Sequence, residues 1–225
     1  MKAALKSRAE LELDRLALDP YCKLYLPLWK LDGDSFADHS AYGHLCTNYG
    51  SLWTPRGRSF DGVDDYVDCG DAPSLISNVF TAEAWIYPTD MTAVEGYGRT
   101  IMATSQYYGL WLLVNEGKIR VYAFSNATDK YYQTTAAPIK LNNWHHLIVT
   151  AIRGGESKIY VDGNFLESFT AEDLIDWQEV FGIGDLRLNR KIAFKGLIGE
   201  VRIYSRVLTP QEVLDHYIIG KEMFR

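Results

Sequence analysis

Cysteine, net positive charge and long apolar runs are all scarce in this chain of 225 residues. Its three cysteines, Cys22, Cys46 and Cys69, are odd in number and lack C-x-x-C spacing, so they form neither a zinc-ligand pattern nor a disulfide framework. Buried free thiols are the expectation, with one disulfide in an oxidising compartment as the alternative. Lys and Arg number 23 against 29 Asp and Glu, a formal net charge of -6, and the basic residues are scattered rather than gathered into a stripe. A nucleic-acid partner is therefore not expected. No apolar run approaches the ~20 residues that cross a bilayer, and the N-terminus lacks the apolar core of a signal peptide. The chain reads as soluble, with export requiring a route other than a leader in this sequence.

Hydrophobic residues make up 47% and aromatics 13%, enough to build the core of one large all-β domain. Helical patterning is confined to the two ends. Residues 1–18 are built from helix formers with Leu5, Ala9, Leu13 and Leu16 at helical spacing, and Asp19-Pro20 ends the run. Near the other end, Thr209-Pro210-Gln211-Glu212 is a capping box with proline at the first helical position; Val213, Leu214, Tyr217 and Ile218 give an apolar face, and Gly220 is read as the stop. Between them the period is two. Phe80, Ala82, Ala84 and Ile86 alternate with Thr81, Glu83, Trp85 and Tyr87, and Glu200, Arg202 and Tyr204 share the face opposite Val201 and Ile203. Glu116-Gly117 and Asp162-Gly163 punctuate hairpins, and Gly154-Gly155 a further turn. Short strands joined by tight turns predict an all-β, antiparallel jelly-roll sandwich with short N- and C-terminal helices, divided into a helical arm over 1–20 and a sandwich domain over 21–225.

The densest chemistry lies in SFDGVDDYVDCGD, residues 59–71, where Asp61, Asp64, Asp65, Asp68 and Asp71 crowd together. Such carboxylates are tolerated when they face solvent, bind turn amides or share a cation. Val63 and Tyr66 stand where an EF-hand loop needs an oxygen ligand and a glycine, which excludes that motif. The stretch does resemble the F-D-G-x-D-D-Y-V signature of laminin G-like, concanavalin A-like domains of the bacterial and viral kind. Further resemblances follow in order: FTAEAWIYP (80–88), WHHLIVT (144–150), KIYVDGNF (158–165) and FKGLIGEVRIYSRVLTPQEV (194–213), so that the likeness spans roughly residues 22–219.

The resemblance implies a structural calcium, with Asp38 as side-chain ligand, carbonyls near Gly43 and Asp61, and Glu200 from the closing strand. Ser40 also matches, whereas Ala41 stands where glycine is usual, and Gly43 is the residue expected to take the left-handed position. A lattice of hydrogen bonds in place of the metal is the alternative. Catalysis is disfavoured: no strand carries the E-x-D-x-x-E pattern of concanavalin A-like hydrolases, Glu83 is a lone acid in its strand, and His145 and His146 have no nucleophile elbow. Trp85, Trp111 and Trp144 are expected in the core. Tyr97, Tyr107, Tyr108, Tyr131 and Tyr132 fall in or beside loops, where flat amphipathic rings suit a sugar or a protein partner. The reading is thus a non-catalytic binding or adhesion module, calcium-stabilised, for a glycan or surface partner, located extracellularly or on a virion. The alternative is a phage capsid or tail component assembled, as a homo-oligomer or on a virion, through its N-terminal arm. A glycoside hydrolase or lyase ranks last.

Overall fold

Alternation of apolar and polar residues along the strands decides where the two sheets of this protein meet. The computed structural model describes residues 7–70, 77–93, 96–104, 109–125, 131–172, 180–185 and 192–225. In chain order it has α1 (Arg8–Leu16), β1 (Cys22–Pro27), β2 (Ser35–Ala37), β3 (Leu45–Tyr49), β4 (Leu52–Thr54), β5 (Gly57–Asp61), β6 (Tyr66–Asp68), β7 (Val79–Asp90) and β8 (Arg99–Ala103). There follow β9 (Gly109–Asn115), β10 (Lys118–Ser125), β11 (Tyr132–Gln133), β12 (His145–Ile152), β13 (Glu156–Val161), β14 (Asn164–Thr170), β15 (Gly182–Ile183), β16 (Lys195–Tyr204) and α2 (Pro210–Lys221). The first sheet runs β14-β13-β12-β7-β16-β5-β4, with β1 also paired to β16; the second runs β11-β10-β9-β8-β15-β6-β3-β2. The named strands pair antiparallel, as expected for a sandwich.

Leu24, Leu26, Phe80, Ala82, Ala84, Ile86, Leu147, Val149, Val201 and Ile203 of the first sheet meet Ile101, Leu110, Leu112, Val114, Ile119, Val121 and Ile183 of the second in one core. In the turns Glu116-Gly117 and Asp162-Gly163 both residues have positive φ, 51° and 80° in one and 51° and 77° in the other, the geometry whose twist matches a two-residue hairpin. All three cysteines are free and buried. Burial pushes the Cys22 thiol up to about 12, against the pull of Arg202, so it is inert at neutral pH.

The outer face of the first sheet is covered by both helices. Helix α1 starts at Ser7, whose side chain forms a capping box with Glu10, and ends at Leu16; Leu5 lies outside the described residues. Leu13 is fully buried against Trp29, Trp85 and Phe224, the Lys30 ammonium meets Asp14 at 2.7 Å, and Arg202 Nη2 donates to the Leu13 carbonyl at 3.1 Å. The described part of the segment expected as an arm is therefore packed on its own sandwich, because an apolar stripe of three turns needs a surface to remain helical in water. Helix α2 has the expected Thr209–Glu212 capping box, but Gly220 does not stop it. The helix continues to Lys221, and Gly220 packs directly against Trp85: a Cβ there would sit 2.4 Å from the indole Nε1.

Candidate functional site

Four candidate groups arise, and the first is the proposed cation set. Asp38 follows β2 and is buried, with both carboxylate oxygens engaged: Oδ1 accepts from the amides of Tyr25 (3.2 Å) and Ser40 (2.6 Å), while Oδ2 accepts from the amide of His44 and meets its Nδ1 at 2.9 Å. Gly43 takes the left-handed conformation at φ 60° that the sequence suggested. Glu200 lies elsewhere, on the outer face of the first sheet, with its oxygens on Arg202 and the Tyr25 hydroxyl. Asp61 Oδ1 accepts from the amides of Val63 and Asp64, closing the turn after β5. Among the described residues, carboxylates close enough to share a cation are those of Asp61, Asp64 and Asp65; Asp38 and Glu200 belong to no such group. Asp65 is itself buried, which pushes its carboxyl up against the hydrogen bond it takes from the Asp61 amide. The structure thus does not gather Asp38, Asp61 and Glu200 into one carboxylate group, and the oxygens of Asp38 and Glu200 are held by amides, Arg202 and the Tyr25 hydroxyl. Asp71 lies outside the described residues.

A second group sits under the helices. Glu83, far from being a lone acid in space, meets His146 Nε2 and His216 Nδ1 at 2.9 Å each and Arg202 Nη1 at 3.4 Å; Arg202 also binds Glu200 and lies 4.1 Å over the Tyr25 ring. Burial alone would raise the Glu83 pKa, but His216, Arg202 and the hydrogen bond from His146 outweigh it and hold the carboxylate well below its ordinary value. Glu83, Glu200 and Arg202 have no solvent exposure. The network fastens α1, α2 and the first sheet together, and among the described residues it offers a substrate no approach. His145 points to the other face of β12 and is also buried, with Nδ1 on Asp162 and Nε2 accepting from the Lys140 amide.

The remaining groups join at Tyr131. Alternation along β9 and β10 sends Leu110, Leu112, Val114, Ile119 and Val121 inward, and so sends Trp111, Leu113, Arg120 and Tyr122 to the outer face of the second sheet. There the rings form a ladder: Tyr97 stacks on Trp111 at 5.5 Å, Trp111 on Tyr122 at 5.0 Å, and Tyr122 meets Tyr131 at 5.4 Å. Trp111 Nε1 donates to Thr100 Oγ1 at 3.1 Å, which fixes the indole. Register continues the row away from the ladder, Trp111 opposite Ala103, then Gly182, then Asp68, so two nearly side-chain-free positions separate the indole from a carboxylate. Farther along, Tyr49 stacks on Tyr66 at 4.6 Å.

Tyr131 is 47% exposed and also lines a groove of about 620 Å³ where the β11 edge of one sheet faces the β14 edge of the other. Val121, Ala123, Tyr132, Phe169 and the segment Thr170–Glu172 form the rest of its wall. Tyr132 stacks on Phe169 at 4.9 Å and donates its hydroxyl to Glu167, which also accepts from the Thr135 amide at 3.0 Å and hydroxyl at 2.7 Å and from the Ala136 amide at 3.2 Å. These donors outweigh the desolvation of Glu167 and bring its pKa down to about 2, while burial and the neighbouring carboxylate push Tyr132 up to about 12.

Of the tyrosines singled out from sequence, the structure thus brings Tyr97, Tyr131 and Tyr132 to one region, and Tyr107 and Tyr108 lie outside the described residues. Trp111, Tyr122, Arg120 and Gln133 were missed. The signal for the first two was present, since both fall on the polar phase of their strands. Trp85, Trp111 and Trp144 are buried or half-buried as expected, yet not between the sheets: Trp85 and Trp144 lie beneath the helices, and Trp111 on the opposite outer face.

A family model described as the concanavalin A-like lectin/glucanases superfamily, of laminin G type, matches residues 61–214. Among solved structures, the chain is similar to domain 4 of AbnA, a GH43 extracellular arabinanase from Geobacillus stearothermophilus, solved in complex with arabinotriose. The identity is 20%, with 87% of this chain and 98% of that one covered and a TM-score of 0.67. It is also similar to the botulinum neurotoxin serotype D binding domain (17% identity, 90% and 52% covered, TM-score 0.68) and to the binding domain of Paraclostridial Mosquitocidal Protein 1 (14% identity, 91% and 52% covered, TM-score 0.67). The chain spans about half the length of those two toxin binding domains. At these identities the likeness to solved structures speaks to fold.

Proposed function

The chain belongs to the concanavalin A-like lectin/glucanase superfamily, and from that premise we propose that it is a non-catalytic module that binds a glycan on the outer face of its second sheet. One observation carries this reading: a stack of rings from Tyr97 through Trp111 and Tyr122 ends at the exposed ring of Tyr131, which opens onto a groove of about 620 Å³. The volume is in the range of small-ligand sites, and a flat ring held by rigid neighbours offers a sugar face apolar area at little entropic cost. That domain 4 of AbnA was solved with arabinotriose, and that the toxin neighbours are binding domains, supports the reading. An extracellular or surface location accords with it.

Catalysis is left aside because Glu83 and Glu200, a close carboxylate pair bridged by Arg202, are wholly buried under α1 and α2. Assembly through an N-terminal arm loses its motive, since the apolar stripe of α1 is already occupied by Trp29, Trp85 and Phe224.

The test is a glycan array probed with the wild-type chain and with Tyr131→Ala. Tyr131 is about half exposed, so the variant should fold with its melting temperature within about 2 °C of wild type. Its affinity for any bound glycan should fall about tenfold. An array with no bound glycan, or a variant that binds as well as wild type, overturns the proposal.

A further inference from the structure

Arg120 projects from β10 beside Tyr131 and is only 6% exposed. Its Nε and Nη2 both donate to Gln133 Oε1, at 3.1 and 2.9 Å, and Nη1 donates to the Gly96 carbonyl at 2.8 Å. The guanidinium lies 4.2 Å over the Tyr131 ring. These acceptors are neutral. Among the described residues no carboxylate pairs with Arg120, and of its five N–H donors two have no acceptor. Arg99, Arg202 and Arg206 are instead paired with carboxylates, Arg99 with Asp90, Arg202 with Glu200 and Glu83, and Arg206 with Asp19 and Glu212; Arg58 has neutral acceptors, but these are three main-chain carbonyls of the fold itself.

The neighbouring amide is also incompletely used. Asn115 is 7% exposed; its Nδ2 donates to the same Gln133 Oε1 at 3.0 Å, and its Oδ1 has no partner. A buried cation without a counter-ion is costly, and its cost is relieved when an anion arrives. We infer that the glycan bound at this site carries a carboxylate, which pairs with Arg120 beside the Tyr131 ring while the ring stacks on the sugar. This rests on the glycan-binding reading above and specifies its ligand class.

The charge of the whole chain refines the class. With a net charge of -6 the protein repels dense polyanions at a distance, so the fit is to a chain with isolated uronic or ulosonic acid residues rather than to a heavily sulfated one. Recognition is then a short-range event, in which a guanidinium meets a carboxylate bidentately out of bulk water.

The decisive variant is Gln133→Glu. It keeps the shape of the side chain and the acceptor for Arg120 and Asn115 but supplies from within the protein the carboxylate that the ligand would bring. The experiment uses the full chain and an array carrying neutral glycans beside uronate- and sialate-bearing ones, followed by titration calorimetry with the strongest acidic binder and its carboxyl-reduced counterpart. The acidic glycan is expected to bind at least about tenfold tighter than the reduced one. Gln133→Glu should abolish that preference while leaving the melting temperature unchanged or higher, and Arg120→Gln should abolish it too. Should Arg120→Gln fail to fold, Gln133→Glu decides alone. Equal binding of the two sugars, binding of neutral glycans alone, or a preference that survives Gln133→Glu overturns the carboxylate assignment and leaves the glycan reading standing. A blank array overturns both.

Discussion

At the scale of a single residue, Glu167 shows how one carboxylate can hold a sandwich edge closed. From β14 it gathers the Tyr132 hydroxyl and the donors of Thr135 and Ala136, so Tyr132, which lines the groove, is held in place. Its pKa in the folded state is about 2, below the ordinary 4.5, so the stability it contributes is fully present above the ordinary value and disappears as the pH falls toward 2. Glu167→Gln is expected to lower stability at pH 7 by about 1 kcal/mol, the net worth of such bonds at a partly exposed position, and to flatten the loss of stability between roughly pH 4.5 and 2. Urea unfolding of both proteins at several pH values checks this; parallel curves for the two would count against the clasp. Asp38 is a second such residue. It closes the turn to His44 with four donors on two oxygens, and nothing in its local sequence distinguishes a carboxylate that caps amides from one that holds a cation.

At the scale of elements, α1 behaves as part of the core. Leu13 fills a space among Trp29, Trp85 and Phe224, and its truncation leaves a cavity that this rigid aromatic surround cannot collapse. Leu13→Ala should therefore destabilise the chain by about 2 to 5 kcal/mol, and deletion of residues 1–17 by more, since it also removes the carbonyl that receives Arg202. Calorimetry with light scattering checks both: a deletion variant that keeps its melting temperature would show that α1 is dispensable, and one that also dissociates from a larger species would restore the arm. The element pattern itself was plainly legible. Period-two alternation placed β7 and β16, and turn residues placed the β9–β10, β12–β13 and β13–β14 connections, because both depend on neighbours in sequence. What covers each face was not. Glu83 finds its partners at His146, Arg202 and His216, and the Tyr97–Tyr131 ladder joins strands and a loop, so both depend on contacts that no local pattern encodes. Gly220 was misread for the same reason, its small size answering to Trp85 rather than to a helix end.

At the scale of the whole molecule, the carboxylates expected to gather a cation are held by protein groups instead. With the oxygens of Asp38 on amides and those of Glu200 on Arg202, calcium added after chelator treatment should leave the melting temperature within about 1 °C, because a ligand stabilises only through sites it can occupy in the folded state. Asp38→Asn should cost about 2 kcal/mol with or without the metal. A rise of several degrees on adding calcium, lost in Asp38→Asn, would reinstate the cation in that loop. The order of the first sheet has a consequence of a different kind. β16 is the last strand in the chain, yet it lies between β7 and β5 and also carries β1. While a ribosome is making this protein, the facing edges of β7 and β5 have no mate until residues 195–204 emerge, and pairings so distant in sequence form slowly. A nascent chain halted before Lys195 is thus no smaller lectin-like unit but a split sheet with open hydrogen-bonding edges, a natural client for chaperones and a natural seed for aggregates.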